Sequence, residues 1–303
     1  MKPLTKGLLT VVILSVAVLL GHRFNLSSTS IAEQLPPNRV TIDVEGNSRV
    51  VESNGIPDHK PGQFPNRHNP NPIRAQQYRF RMSAEPQKAR SSSLLGMNLF
   101  GVALNGVPFD PGAAEYWNRD RNSGWQYEAL SGKIDLGLDA SNAHVQPNGA
   151  YHYHGVPVAL LARLSGRKKQ MTLVGYAADG FPVYALYGYS DAGSAESAVR
   201  TLESSYRLKK GMRPSGPGGR YDGSFVEDYE FVEGAGDLDE CNGREGVTPE
   251  HADGTYYYVL TAEFPFIPRS LRGESDPSFL KRGPPPGGRR RPGGPPGGPP
   301  PPR

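Results

Sequence analysis

His144, His152 and His154 fall within one short stretch, "HVQPNGAYHYH", residues 144–154. Near neutral pH an unperturbed imidazole is mostly uncharged and is the commonest nitrogen ligand for Zn, Cu, Ni or Fe. If residues 151–154 are extended, successive side chains point to opposite faces. Tyr151 and Tyr153 then share one face, and His152 and His154 the other. Pro147, Asn148 and Gly149 are turn formers, so the chain can bring His144 back over that strand. Three imidazoles would then meet one ion and leave a position for water or a fourth ligand. The alternatives are a hydrogen-bonded histidine cluster and a solvated sheet face. His59, in "GIPDH", is the distant candidate for the fourth ligand, set against a loop histidine in water. A nitrogen donor set points to Cu or Zn rather than to Ca or Mg, which prefer oxygen.

Other candidates are weaker. Asp179 marks an Asp-Gly turn in "YAADGFPVY", where it either orients an imidazole or serves the turn alone. "GDLDECNGR" gathers Asp237, Asp239, Glu240 and Cys241. As an EF-hand it fails: Cys241 stands at position five, Asn242 where Gly is needed and Thr248 where Glu is needed. An irregular calcium site or a plain turn remains. Cys241, the only cysteine, excludes an internal disulfide and is either buried, paired with another chain or a ligand. No Gly-rich phosphate loop, nucleophile elbow or HExxH helix is present, so no catalytic residue is assigned.

Short strands must carry these residues. With 37 Gly, 30 Pro and 15 Tyr, the chain reads as β-rich and loop-rich rather than as a bundle. Val40–Val44 alternates, turns at Glu45-Gly46-Asn47 and returns through Val50-Val51, a hairpin. Residues 55–73 form a proline-rich loop with His59 and His68, too long for a simple connection. Strands are expected around Tyr78–Met82, Phe100–Leu104, Tyr151–His154, on both sides of the Asp-Gly turn in 173–189, and at 255–264. Pro157 precedes a helix in "VALLARL", and "SAESAVRTLESSYRL" (194–208) reads as the best helix of the chain.

"NGAYHYHGV" (148–156) is echoed by "DGTYYYVLT" (253–261). Tyr151 and Tyr153 match Tyr256 and Tyr258, while His152 and His154 match Tyr257 and Val259. His251 stands upstream of the second turn as His144 does of the first. Two turn-and-strand units with a shared tyrosine face follow, in which the two strand histidines are extra to the architecture.

The sequence pI of 9.0 comes from the ends. Residues 1–24 carry three basic side chains and residues 281–303 six, with no acid in either; removing them from the net +4 leaves −5 for residues 25–280. Nucleic acid, which needs a basic surface, is not expected as a partner. Lys2 and Lys6 precede an apolar run from Leu8 to Leu20, and Ser30-Ile31-Ala32 offers a cleavage site. Residues 1–32 therefore read as a signal peptide or as a membrane anchor through residues 7–21. Either places the body outside the cytoplasm, as a periplasmic, cell-surface or secreted protein. Residues 33–37 read as a linker, and 276–303, nearly all Pro, Gly and Arg beyond 282, as a disordered tail.

The blocks "SNGIPDHKPGQFPN", "GVALNGVPFDPGAAEYW", "LDASNAHVQPNGAYHYHGVP", "VGYAADGFPVYALYG", "LDECNGR" and "TYYYVLTAEFPFIPRSLRG" together resemble the YHYH-domain proteins. The resemblance implies an extracytoplasmic domain and places His59, His144, His152, His154 and Asp179 in signature blocks. It carries over no catalytic residue. Such proteins often have a second cysteine near the "PRSLRG" block, where this chain has Ser270. The expected fold is α+β, predominantly β, with antiparallel hairpins and one or two helices, over residues 38–275. The expected function is a transition-metal site on the histidine cluster. The alternative is a non-catalytic surface or matrix domain that binds a protein or glycan through tyrosine-rich faces.

Overall fold

The computed structural model describes residues 35–281. The segments expected to be a signal or anchor (1–32) and most of the Pro/Gly/Arg tail lie outside the described residues. Leu35 already packs on the core and Phe279 is buried, so the folded part is wider at both ends than the expected 38–275. No helix among the described residues is long and apolar enough to cross a membrane.

The architecture is α+β and predominantly β, as the composition and patterning indicate. Strands β1 (Val40–Glu45), β2 (Ser48–Ser53) and β3 (Tyr78–Ser83) form an antiparallel three-stranded sheet. β4 (Ser93–Leu94) pairs with the distant β17 (Ser270–Leu271). β5 (Gly101–Ala103), β6 (Pro108–Phe109), β7 (Ala143–Val145) and β8 (Tyr151–Tyr153) precede α1 (Val158–Ser165), the one α-helix among the described residues. Pro157 caps α1, Gly166 ends it in the left-handed region at φ +58°, and Leu160 and Leu161 face the core.

After α1 come β9 (Leu173–Ala177), β10 (Pro182–Ala185) and two small hairpins. One is β11 (Tyr187–Tyr189) with β12 (Val199–Thr201), the other β13 (Tyr206–Leu208) with β14 (Tyr229–Phe231). β15 (Gly243–Thr248) and β16 (His251–Leu260) form a longer one. The helix expected over 194–208 is therefore absent. Its residues supply β12 and β13, paired with β11 upstream and β14 downstream of the segment, and Leu202 between them is buried. Helix propensity is a weak prior, and here tertiary pairing overrides it.

The central sheet has eight strands in the order β15-β16-β10-β9-β5-β6-β8-β7. From its middle outward it reads β5-β6-β8-β7 on one side and β9-β10-β16-β15 on the other, one motif written twice. The middle pair is symmetric in register: Gly101 opposes Ala177, Val102 opposes Tyr176 and Ala103 opposes Gly175. β6 runs parallel to β8 and β10 parallel to β16, so the sheet is mixed and not purely antiparallel.

Local chemistry repeats with the topology. "LDASN" (138–142) and "LDECN" (238–242) fold alike. Oδ1 of Asp139 accepts from the N–H groups of Ser141 and Ala143, and Oδ1 of Asp239 from those of Cys241 and Gly243. Asn142 and Asn242 sit at φ +57° and +55°. Tyr151 donates to Asp139 and Tyr256 to Asp239. The echo seen in nine residues thus belongs to a duplicated half-sheet. One of its matches is corrected: by register the counterpart of His144 is Arg244, since His144 opposes His152 and Arg244 opposes Tyr257. His251 lies exposed at the start of β16.

Candidate metal centre

Strand alternation places the side chains of β8 as expected. Tyr151 and Tyr153 are fully buried in the main core, Tyr153 beside Phe109. His152 turns the other way, and His154 follows it just past the strand end. Each is 2% exposed, which rules out a solvated histidine face. β7 returns antiparallel, so His144 lies directly opposite His152. The Asn148-Gly149 turn makes this possible, with Gly149 at φ +88°.

The three rings converge. Nε2 of His154 lies 3.0 Å from Nε2 of His152 and 3.0 Å from Nε2 of His144. One ligand nitrogen from each ring falls within 4.8 Å of the others, the sole such group of metal-ligating side chains among the described residues. Ligand nitrogens about 2.0–2.1 Å from a tetrahedral ion stand roughly 3.4 Å apart, so a small outward shift of the rings would accommodate one.

Backbone carbonyls decide the tautomers. Nδ1 of His144 lies 3.0 Å from the Leu136 carbonyl, and Nδ1 of His152 lies 3.1 Å from the Ala150 carbonyl. A carbonyl oxygen only accepts, so both Nδ1 atoms carry hydrogen and both Nε2 atoms are bare. One N–H on His154 Nε2 can satisfy one of them, not both. Nδ1 of His154 is itself buried without a hydrogen-bond partner. Wherever the His154 proton resides, the neutral triad is under-satisfied; with that proton on Nδ1, a cation at the meeting point would take all three Nε2 lone pairs.

Burial keeps the rings neutral. It pushes His144 down to about 4, helped by the neighbouring His152, and His152 down to about 3. His154 is lowered well below the ordinary imidazole value for the same reason. Neutral imidazole is the form that ligates. The sign for stability follows. Between the ordinary value of 6.5 and these depressed values the unfolded chain binds protons that the folded chain refuses, so stability falls as pH falls. The metal-free protein is expected to lose on the order of 10 °C in melting temperature between pH 7 and pH 5. Thermal melts of metal-free protein check this, and a melting temperature that rises toward pH 5 would contradict it.

The other candidates fall elsewhere. His59 does not join the triad: its Nε2 lies 3.0 Å from the Tyr153 hydroxyl, on the tyrosine side of β8. There it belongs to a polar chain in which Asn105 donates to both Tyr153 and Asp58. Asp179 touches no imidazole. Its carboxylate accepts from the Tyr258 hydroxyl at 2.5 Å and from the Gly273 N–H, in the other half of the sheet. Asp237 pairs with Arg200, and Asp239 is consumed by its turn and Tyr256, which leaves a turn and no calcium cage. Cys241 is buried, and burial pushes its thiol up to about 12, an unreactive thiol. The tyrosines of both echo strands are buried, so they form no exposed tyrosine-rich face.

Charged residues not singled out in the sequence act on the triad, Asp110 on His144 and both Lys281 and Arg269 on His154. Asp110 follows β6 and is 1% exposed. It pairs with Lys281 at 2.5 Å and accepts from Gln146 at 3.4 Å, while its Oδ1 is buried without a partner. Glu128, also buried, pairs with Arg269. Asp110 lies in the signature block "GVALNGVPFDPGAAEYW", but nothing local ties it to the histidines, and Lys281 lies within the tail expected to be disordered.

A β-rich domain with a buried trihistidine centre on a mixed eight-stranded sheet is the class that this geometry defines. A family model described as "YHYH protein" matches residues 79–273, most of the chain, and the protein belongs to that family. No curated protein and no solved structure matches it.

Proposed function

We propose that this protein is an exported domain whose His144, His152 and His154 hold a single transition-metal ion, zinc or copper. The observation that carries this reading is the convergence of three Nε2 atoms whose tautomers leave too few protons to pair them. A donor set of neutral imidazoles suits Zn or Cu and disfavours Ca and Mg. Three ligands leave an open position, the arrangement that catalytic zinc and copper centres use to bind water or a substrate. Metal analysis of protein purified from its native host, with calorimetric titration of Zn(II) and Cu(II) into metal-free protein, tests the site. About one ion per chain is expected. Absence of bound metal together with no heat on titration would overturn the reading.

Export rests on the basic start and the apolar run at Leu8–Leu20. The mature chain is expected to begin near Glu33 or to remain attached through residues 7–21. N-terminal sequencing from the native host distinguishes the two, and the intact chain free in the cytoplasm would contradict both.

A further inference from the structure

The duplicated half-sheet allows each position of one half to be compared with its counterpart in the other. Positions that match serve the architecture: Gly101 and Gly175, Pro108 and Pro182, Asp139 and Asp239, Asn142 and Asn242, Tyr153 and Tyr258. Around the triad the halves part company. His144, His152 and His154 correspond to Arg244, Tyr257 and Val259, and the same register makes Tyr184 the counterpart of Asp110.

In the second half these positions form a closed plug. Arg244 Nε donates to the Tyr257 hydroxyl at 2.6 Å, and its Nη2 to the Tyr189 carbonyl at 2.6 Å. Tyr184 packs edge-on against Tyr257 and donates to Glu250 at 2.5 Å. Tyr184, Tyr257 and Val259 continue into an apolar cluster with Met171, Leu202 and Leu238. The equivalent set in the first half is not closed. Two of its buried polar atoms have no partner, Nδ1 of His154 and Oδ1 of Asp110.

Asp110 projects to the histidine side. Phe109 packs with Tyr153 on the tyrosine side, and alternation sends the next residue the opposite way. Its N–H donates to the Tyr153 carbonyl at 2.9 Å, which holds it between His152 and His154 in register. Its carboxylate accepts from Gln146, two residues beyond His144 on the returning strand. It stands outside the group of nitrogens within 4.8 Å, so it is no direct ligand in this geometry.

We infer that Asp110 completes the metal centre as a positioning residue, its free Oδ1 accepting a hydrogen bond from the water on the ion's open position. This rests on the proposed metal site. Lys281 and Gln146 both sit on Oδ2, which leaves Oδ1 for another donor, and the carboxylate lies close enough to His144 to act on it electrostatically. Lys281 pairs the charge of this carboxylate, but a buried oxygen without a hydrogen bond still costs free energy, and a metal-bound water is a donor that would satisfy it. The second half has no ion to serve, and there a phenol fills the same place.

The test is Zn(II) titration and the visible spectrum of Co(II)-loaded protein, in wild type, Asp110→Asn and His59→Gln. Asp110→Asn is expected to weaken Zn(II) binding by about 10–100-fold and to change the Co(II) spectrum. His59→Gln should alter neither. Wild-type affinity and an unchanged spectrum in Asp110→Asn, with metal bound, would overturn the role of Asp110 and leave the metal site standing. No binding by the wild type would overturn both. If Asp110→Asn fails to fold because Lys281 is left unpaired, the double variant Asp110→Asn/Lys281→Gln removes both charges and is expected to show the same loss.

Discussion

Exchanging His152 for Tyr and His154 for Val is expected to abolish binding of Zn(II) and Cu(II) while the sheet stays folded. The exchange copies the residues of the other half, Tyr257 and Val259, which occupy the same places on the same backbone. Two of three nitrogen ligands disappear, so the affinity should fall by more than about 100-fold, the upper end of what outer-shell partners alone are worth. The hydrogen bonds that build the hairpin do not involve these rings. The His154 N–H donates to the Asn142 carbonyl, as the Val259 N–H donates to that of Asn242. Calorimetric titration reads the affinity, and far-UV circular dichroism of metal-free protein reads the fold. Unchanged affinity would refute the site. Should the larger Tyr overpack its position, His154→Gln removes one ligand with little change in volume, and undiminished affinity there would refute the site equally.

The second large effect concerns the symmetric centre of the sheet. A Cβ at Gly101 would lie 2.3 Å from the Tyr176 carbonyl oxygen, and one at Gly175 would lie 2.3 Å from the Val102 carbonyl oxygen. The nearest atom is a backbone carbonyl in each case, which cannot move aside as a flexible side chain could, and at Gly175 the buried Phe109 ring adds to the crowding. Gly101→Ala and Gly175→Ala are each expected to destabilise the protein by about 3 kcal/mol, the upper range for overpacking. Because the β5·β9 register is symmetric, the two losses should be alike. Gly46→Ala, with nothing within 4 Å of the added carbon but φ at +61°, is expected to cost far less. Denaturant melts of the three variants check this. A near-neutral Gly101→Ala beside a destabilising Gly175→Ala would contradict the symmetry.

Much of the site was legible in local sequence because its grammar is local. A two-residue side-chain period and an Asn-Gly turn suffice to put His152 and His154 on one side and to bring His144 back over them. The same holds for α1, whose Pro, leucines and terminal Gly are adjacent in the chain. Where distant strands compete, local pattern misleads. Residues 194–208 have helical spacing, yet pairing with β11 and β14 draws them into strands. His59 and Asp179 lie in signature blocks of their own, and each meets a tyrosine hydroxyl instead of the triad, Tyr153 in one half of the sheet and Tyr258 in the other. Asp110 and Lys281, 171 positions apart in the numbering, meet only because β6 runs parallel to β8 and the C-terminal turn packs back on β3. Residue types and short-range spacing determined that three imidazoles could share an ion. Which other groups lie near the three imidazoles was decided by strand order and by which side of each strand is buried, since both depend on pairings between segments remote in the chain.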